Sequence, residues 1–207
     1  MKNYLLYMDQ LTNGFINCTE YWQIFFQLWI REVQVKIKVS NYDCRKNLRK
    51  IFNNPDMLFF SFNYTKTLQK LYGIKEVTHI HNYVGQKLIF GHGEDNATSN
   101  EVNEEFTLGS SFLDDMILAF KKDTVFPLIK TKKFFKRLDY NIDKVYSYGF
   151  SYGKVDSVYI KRIISLISPN AVWYFTDFEA GNAEDLRIKK IKLRNYGFKG
   201  KFDLYEE

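Results

Sequence analysis

Residues Met57 to Gly73 read MLFFSFNYTKTLQKLYG, and this stretch decides the fold. Met57 to Phe62 is an apolar run of the length and kind expected of a strand buried on both faces. Thr65 to Tyr72 fits a helix, and Gly73 stands just past its last turn, where a left-handed residue commonly closes a helix. Asn53-Asn54-Pro55-Asp56 is a strong break upstream. The unit is therefore strand, turn, helix.

The same punctuation continues toward the carboxyl end. Val77 to His81 predicts a short strand, and Leu88 to Phe90 another that ends in Gly91-His92-Gly93. Helices are expected over Phe112 to Phe120 and Val125 to Leu138, then a strand over Lys144 to Tyr148. Val155 to Ser168 reads as a helix and Ala171 to Thr176 as a strand. Asn182 caps a helix that runs to about Arg194 and ends at Gly197. Lys201 to Tyr205 reads as a last, edge strand. Strands alternating with helices at this spacing imply βαβ units and a mostly parallel sheet, an α/β fold. In such sheets ligands lie beyond the carboxyl ends of the strands.

The first part of the chain differs in character. Glu20 to Ile30 predicts a helix with Trp22, Phe25, Phe26 and Trp29 at i, i+3, i+4 and i+7. Val33, Val35, Ile37 and Val39 then alternate with polar residues, a strand pattern, with a continuing helix as the other reading. Asp43 is placed to cap a basic helix from Cys44 to Phe52. The chain thus divides into an N-terminal helical segment, 1–54, and an α/β domain, 55–207.

Of the 207 residues, 45% are hydrophobic and 26% charged, which argues against disorder, collagen and coiled coil. Two cysteines cannot form a disulfide framework, so a reducing, cytoplasmic setting is expected. No stretch approaches the ~20 apolar residues of a membrane span. The net charge of +6 is unevenly placed. Lys121, Lys122, Lys130, Lys132, Lys133, Lys136 and Arg137 form a basic stretch that could attract phosphates or nucleic acid, or simply coat a solvated helix.

All three histidines, His79, His81 and His92, fall within fourteen residues. His79 and His81 are two apart on a predicted strand, so they are expected on one face. His92 sits between glycines, where backbone can come close to a ligand. His-x-His plus a third histidine resembles a zinc set, but no cysteine lies near, and no metal is expected. A hydrogen-bonded packing role and an acid–base or ligand-contact role stay open. Asn63 follows a buried strand directly, where its amide could meet a ligand or cap a helix. Gly149 to Gly153 lies at the exit of another strand, as a phosphate or ribose cradle or as a tight turn.

Taken together, Phe62-Asn63-Tyr64-Thr65-Lys66-Thr67-Leu68, Leu71-Tyr72-Gly73-Ile74, His79-Ile80-His81, Ile89-Phe90-Gly91-His92-Gly93 and Tyr148-Gly149-Phe150-Ser151 with Val155-Asp156 resemble the bacteriophage abortive infection protein AbiH family. The resemblance covers about residues 45–180. That family is similar to a distant branch of the sirtuin-like NAD-binding fold, which implies a Rossmann-like sheet, antiphage defence and NAD or a related nucleotide as ligand. By this similarity Asn63 and His81 are the catalytic pair, Asn63 positioning water or ribose and His81 acting as base. Phe62, Tyr64, Gly91, His92, Gly93, Gly149, Ser151 and Asp156 would contact the nucleotide. Such a site would stabilise the oxocarbenium-like ribose left when nicotinamide departs.

The departures from the family pattern are as specific as the matches. Where the family carries a strand and a glycine-rich GNGFD segment, this chain has Asn13-Gly14-Phe15-Ile16-Asn17, so the first glycine-rich βα unit is missing or degenerate. His81 is followed by Asn82 rather than glycine, and Phe150 stands where a family histidine is expected. Without the phosphate loop, weak or absent NAD turnover is expected. Two other readings stay open: a non-enzymatic interaction or nucleic-acid-binding module using Lys121 to Arg137, and an inactive truncated fragment. Trp22, Phe25, Phe26 and Trp29 are expected either to cover an exposed sheet edge or to recruit a second copy into a homo-oligomer.

Overall fold

The computed structural model describes residues 2–37, 46–93, 118 and 120–206. The chain opens with helix α1, Lys2–Lys36, thirty-five residues without a proline. At 1.5 Å per residue it is about 50 Å long. Residues 13–17 lie inside it, so the stretch read as a remnant of a phosphate loop forms no strand-to-helix turn. The predicted strand over Val33, Val35, Ile37 and Val39 is also corrected: α1 runs on through Lys36, and Val39 lies outside the described residues.

The face by which α1 docks is not the expected aromatic one. Ile30 and Gln34 are buried, while Trp22, Phe25 and Trp29 are exposed. Phe26 alone of the four aromatics reaches inward, with its ring 5.1 Å from Tyr64 and 4.8 Å from Phe90. Phe26, Ile30 and Gln34 follow one another at four-residue steps and share a face. Gln34 is drawn in because its Oε1 accepts the backbone N–H of Lys66 at 2.6 Å. The other three aromatics therefore cover no sheet edge among the described residues.

Helix α2, Lys46–Phe52, follows; its predicted cap, Asp43, lies outside the described residues. Strand β1 is Phe60–Ser61, helix α3 is Thr67–Tyr72 and strand β2 is Thr78–His79. β1 and β2 pair in parallel, Phe60 opposite Thr78 and Ser61 opposite His79. Gly73 ends α3 at φ 72°, the left-handed conformation its position predicts. The apolar run from Met57 is thus mostly not strand. Phe59 instead packs edge-on against Phe52 at 5.4 Å, in a stack that continues to Tyr72.

No strand forms over Leu88 to Phe90; an isolated parallel bridge joins His92 to Lys121 instead. The helix expected over Phe112 to Phe120 lies almost wholly outside the described residues. The next one splits into α4, Val125–Lys130, and α5, Lys132–Phe135. The break is at Thr131, whose hydroxyl donates to the Pro127 carbonyl.

Strand β3, Lys144–Tyr146, leads through a 3-10 turn at Lys154–Asp156 into α6, Ser157–Ile164. Then come β4, Val172–Thr176, α7, Asp177–Ala180, α8, Ala183–Asn195, and β5, Lys201–Tyr205. Asn182 caps α8 by accepting the Asp185 N–H, as its position predicts. β4 lies between β3 and β5, and both pairings are parallel. All strand pairings among the described residues are therefore parallel, in two short sheets flanked by helices, an α/β arrangement. The core gathers on β4, where Trp173, Phe175 and Ala171 pack with Tyr152, Ile160, Leu193 and Phe198.

Candidate functional site

The site grows from the carboxyl ends of β1 and β2. Ile80 donates to the Ser61 carbonyl, so the two chains leave the pair side by side. Phe62 and Tyr64 follow one strand, and His81 and Asn82 the other. Phe62 sits with its ring 5.7 Å from His81 and stacks on Phe150 at 4.1 Å. In this way Phe62 joins three separate stretches, 62–64, 81–82 and 148–151, at one place. Tyr64, 6.0 Å from His81, is fixed by its hydroxyl donating to the Ile89 carbonyl. Tyr159 of α6 closes the aromatic wall 5.8 Å from the imidazole.

The two neighbouring histidines do not share a face. His79 ends β2, whereas His81 lies past the strand in a turn, and their partners are different. His79 uses both ring nitrogens: Nδ1 meets the Asn63 carbonyl at 3.1 Å and Nε2 meets Gln69 Nε2 at 2.9 Å. It is a packing histidine that ties α3 to the strand end. Burial holds its pKa below the ordinary value of 6.5, against the pull of the Asn63 carbonyl.

His81 is only 2% exposed. Its Nε2 lies 3.1 Å from Asp156 Oδ1 and 2.9 Å from Lys122 Nζ. Lys122 Nζ in turn donates to the same Asp156 oxygen at 2.9 Å. Imidazole, carboxylate and ammonium thus form a closed triangle, with the Lys122 and Asp156 side chains 6% and 15% exposed. The other ring nitrogen, His81 Nδ1, is buried and has no hydrogen-bond partner. A buried donor or acceptor left unpaired costs about 1–3 kcal/mol.

Burial lowers the His81 pKa and Lys122 lowers it further, which together outweigh the raising effect of Asp156; the ring is held neutral near pH 7. Burial works against the Asp156 charge, but its close neighbours His81 and Lys122 prevail and hold the carboxyl below its ordinary range. Burial, with Asp156 nearby, pushes the Tyr64 hydroxyl up to about 12.

Local sequence explains how each group arrives. Asp156 occupies the N-cap of α6 yet makes no capping bond, because its carboxylate is turned to His81 and Lys122. A capping bond is typically worth about 1 kcal/mol, so the ion pair has displaced a real competitor. Tyr159 lies three residues further on and therefore on the same side of the helix. The bridge between His92 and Lys121 holds that stretch extended, so successive side chains alternate. Lys121 is exposed and Lys122 buried.

Asn82 explains one departure from the expected motif. It has φ 63°, the left-handed region where glycine is the default and asparagine is among the L residues that enter most readily. Its side chain fixes the turn by donating to the Lys87 carbonyl and accepting from Lys130. Phe150, in place of a histidine, fills apolar space against Phe62 and Tyr152.

The remaining predicted residues are placed as follows. Asn63 is exposed, and its hydrogen bonds are made by its backbone, to Ser61 Oγ and His79. Gly91 and Gly93 are required by close packing within the chain. A Cβ on Gly91, at φ 141°, would meet the Phe120 carbonyl at 2.2 Å, and one on Gly93 would meet Val155 at 2.7 Å. His92 pairs through its backbone, accepting from Lys122 N–H. Gly149, at φ 60°, and Ser151 are exposed, and the Ser151 carbonyl accepts from Lys192.

Tyr159 carries no signal in the sequence, and Lys122 carries one only as a member of the basic stretch. In the basic stretch Lys122 is consumed by the triangle, Lys130 by Asn82, and Arg137 by an ion pair with Glu76 at 2.8 Å. Lys132, Lys133 and Lys136 stand exposed. A cleft of about 370 Å³ opens at the opposite, amino end of β1 and β2, lined by Phe52, Phe59, Tyr72 and Arg137 among others, away from His81. No described helix is long and apolar enough to cross a membrane.

These features define an α/β chain with parallel strands and one buried histidine left with a free nitrogen at the strand ends. The family described as Bacteriophage abortive infection AbiH matches residues 3–177, and the chain belongs to that family. Membership ties it to bacteriophage abortive infection. Comparison with curated proteins and with solved structures finds no match.

Proposed function

We propose that this chain serves abortive infection by binding a nucleotide-type ligand at the carboxyl ends of its strands, with NAD as the first candidate and His81 as the group that meets it. The frame is read as Rossmann-like and distantly sirtuin-like. The observation that carries the reading is the buried, unpartnered Nδ1 of His81. Unpaired buried polar atoms are uncommon in folded proteins and call for an explanation, and of the three among the described residues, Gln34 Nε2, Gln69 Oε1 and His81 Nδ1, only the last belongs to a titratable ring. Phe62, Tyr64 and Tyr159 give that nitrogen an apolar, aromatic surround suited to a base or ribose face.

If the ligand is NAD, the bond at stake is the one between nicotinamide and ribose, whose rupture leaves a cationic sugar. Asp156 is held ionised 3.1 Å from the His81 ring, but the Lys122 ammonium 2.9 Å away balances its charge, so stabilisation of that cation falls to the aromatic faces around the ring. The fit to a dinucleotide is partial. Residues 13–17 are helical, so that stretch offers no turn of free N–H groups for a pyrophosphate. Each charge-assisted hydrogen bond forgone is worth about 1.5–3 kcal/mol, so affinity for NAD is expected to be low and turnover slow or absent.

Titration calorimetry with NAD and ADP-ribose, paired with an assay for released nicotinamide, tests the reading. Binding that His81→Ala removes supports it. No heat and no nicotinamide at millimolar ligand would sink it.

A further inference from the structure

The place of Lys122 in the triangle has a chemical consequence for His81. Its Nζ is 2.9 Å from His81 Nε2 and 2.9 Å from Asp156 Oδ1. An ammonium carries hydrogens and no lone pair, so the first contact is a hydrogen bond only if Nε2 is bare. A proton on Nε2 would set two N–H donors against each other at 2.9 Å. A bare Nε2 sets its lone pair 3.1 Å from the Asp156 oxygen, and the Lys122 ammonium, within 2.9 Å of both acceptors, offsets that repulsion by donating to each. A neutral imidazole with a bare Nε2 carries its proton on Nδ1.

We infer that Lys122 is a positioning residue that fixes His81 as the Nδ1–H tautomer, and that His81 therefore offers the ligand a hydrogen-bond donor rather than a base. The groups facing the ring are Phe62, Tyr64, Tyr159, Lys122 and Asp156. The two tyrosine hydroxyls already donate elsewhere, Tyr64 to Ile89 and Tyr159 to Thr124. Nδ1–H is left as an unspent donor in an enclosed aromatic setting. Its complement is an acceptor oxygen: a carbonyl, a ribose oxygen or a phosphate oxygen. This deepens the nucleotide reading and rests on it for the identity of that oxygen. It also reassigns the role expected of His81, since a base at Nδ1 would need the lone pair that this tautomer lacks.

Proton–nitrogen correlation spectra of the imidazoles in the full, labelled chain at neutral pH read the tautomer directly. The chain has three histidines, and His81→Gln assigns the signals by their loss. The expected result is a protonated Nδ1 and a bare Nε2 for His81, retained in Lys122→Arg. In Lys122→Met, Asp156 becomes the remaining partner and the proton moves to Nε2. A protonated Nε2 in the unmutated chain overturns the inference, as does a tautomer unchanged in folded Lys122→Met. If Lys122→Met does not fold, the spectrum of the unmutated chain decides alone. The same spectra with added NAD separate the two readings: a protonated Nδ1 that NAD leaves unshifted sinks the nucleotide reading and leaves the tautomer standing.

Discussion

Among the described residues two lysines are buried, and they are buried differently. Lys189 of α8 donates to Glu179 and to Asp185, each at 2.8 Å. Glu179 also closes a capping box with Thr176 at the start of α7, so Lys189 and Glu179 each have more than one use. Lys122 has one carboxylate, Asp156, and an imidazole whose far nitrogen is unpaired. The first cluster is closed upon itself and fastens α7 to α8. The second is complete on one side and open on the other only in the sense that one buried polar atom has no partner. Buried charge alone therefore does not mark a site; the unpaired atom beside it does.

The sharpest way to break this comparison is to remove one carboxylate from each cluster. Asp156→Ala leaves Lys122, 6% exposed, without a counter-charge. Orphaning a buried charge in this way costs about 3–5 kcal/mol. The double change Lys122→Met with Asp156→Leu should recover most of that loss, since an apolar pair of similar volume replaces an ion pair at little cost. Thermal or denaturant unfolding of the single and double variants measures both. A double variant as unstable as Asp156→Ala would mean that the triangle is not the source of the loss.

Glu179→Ala is expected to cost less, about 2–3 kcal/mol, through one charge-assisted bond and the capping box. Lys189 keeps Asp185, which lies four residues earlier on the same helix. The two carboxylates should thus rank Asp156 above Glu179 in the same unfolding experiment. The reverse order would erase the distinction between an open and a closed cluster.

The clusters should also fail at opposite ends of the pH scale. His79 and His81 have folded pKa values below 6.5, so the unfolded chain takes up protons that the folded chain resists. Stability is then lost as pH falls through about 6.5, the unfolded value, toward the folded ones. Asp156, depressed below 3.8, adds to the loss only under more acidic conditions. Lys189 is raised above 10.5: burial opposes its charge, but Asp185 and Glu179 more than offset this. Its contribution is intact below 10.5 and is lost as pH climbs through the raised value. Melting temperature against pH should show an acid limb that His81→Phe makes shallower and an alkaline limb that it leaves alone. An acid limb unaffected by that change would remove His81 from the account.

Legibility in the sequence followed the range of the interaction that decides each feature. Gly73, the Asn182 cap, β4 and β5 lay where the residues predict, because turn chemistry and apolar runs act over a few positions. The alternation at Val33 and Val35 misled, since in α1 Val35 is exposed and the docking face is Phe26, Ile30 and Gln34. The run from Met57 overstated β1, because only Phe60 and Ser61 find a partner strand while Phe59 packs on aromatic rings. His81 and Asp156 were reached through motif likeness, and the structure places them in contact. Lys122 was hidden. It lies forty-one positions from His81, among lysines that look alike until the bridge at Lys121 sends one of them inward.

The smallest expected effect is the most discriminating. His81→Phe keeps a flat ring among Phe62, Tyr64 and Tyr159 and removes the unpaired Nδ1. Lys122 loses one acceptor but keeps Asp156. Relieving a buried unsatisfied polar atom is worth about 1–3 kcal/mol, and the lost bond to Lys122 offsets part of it, so a net gain of about 1 kcal/mol is expected. Ligand binding should vanish at the same time. A residue kept for packing would behave in the opposite way, its replacement lowering stability and leaving any ligand affinity unchanged. Gain of stability with loss of binding is the pattern of a group held at a cost for function. Denaturant unfolding of His81→Phe beside the unmutated chain, with calorimetry on both, therefore asks of one side chain whether the open cluster is open for a ligand.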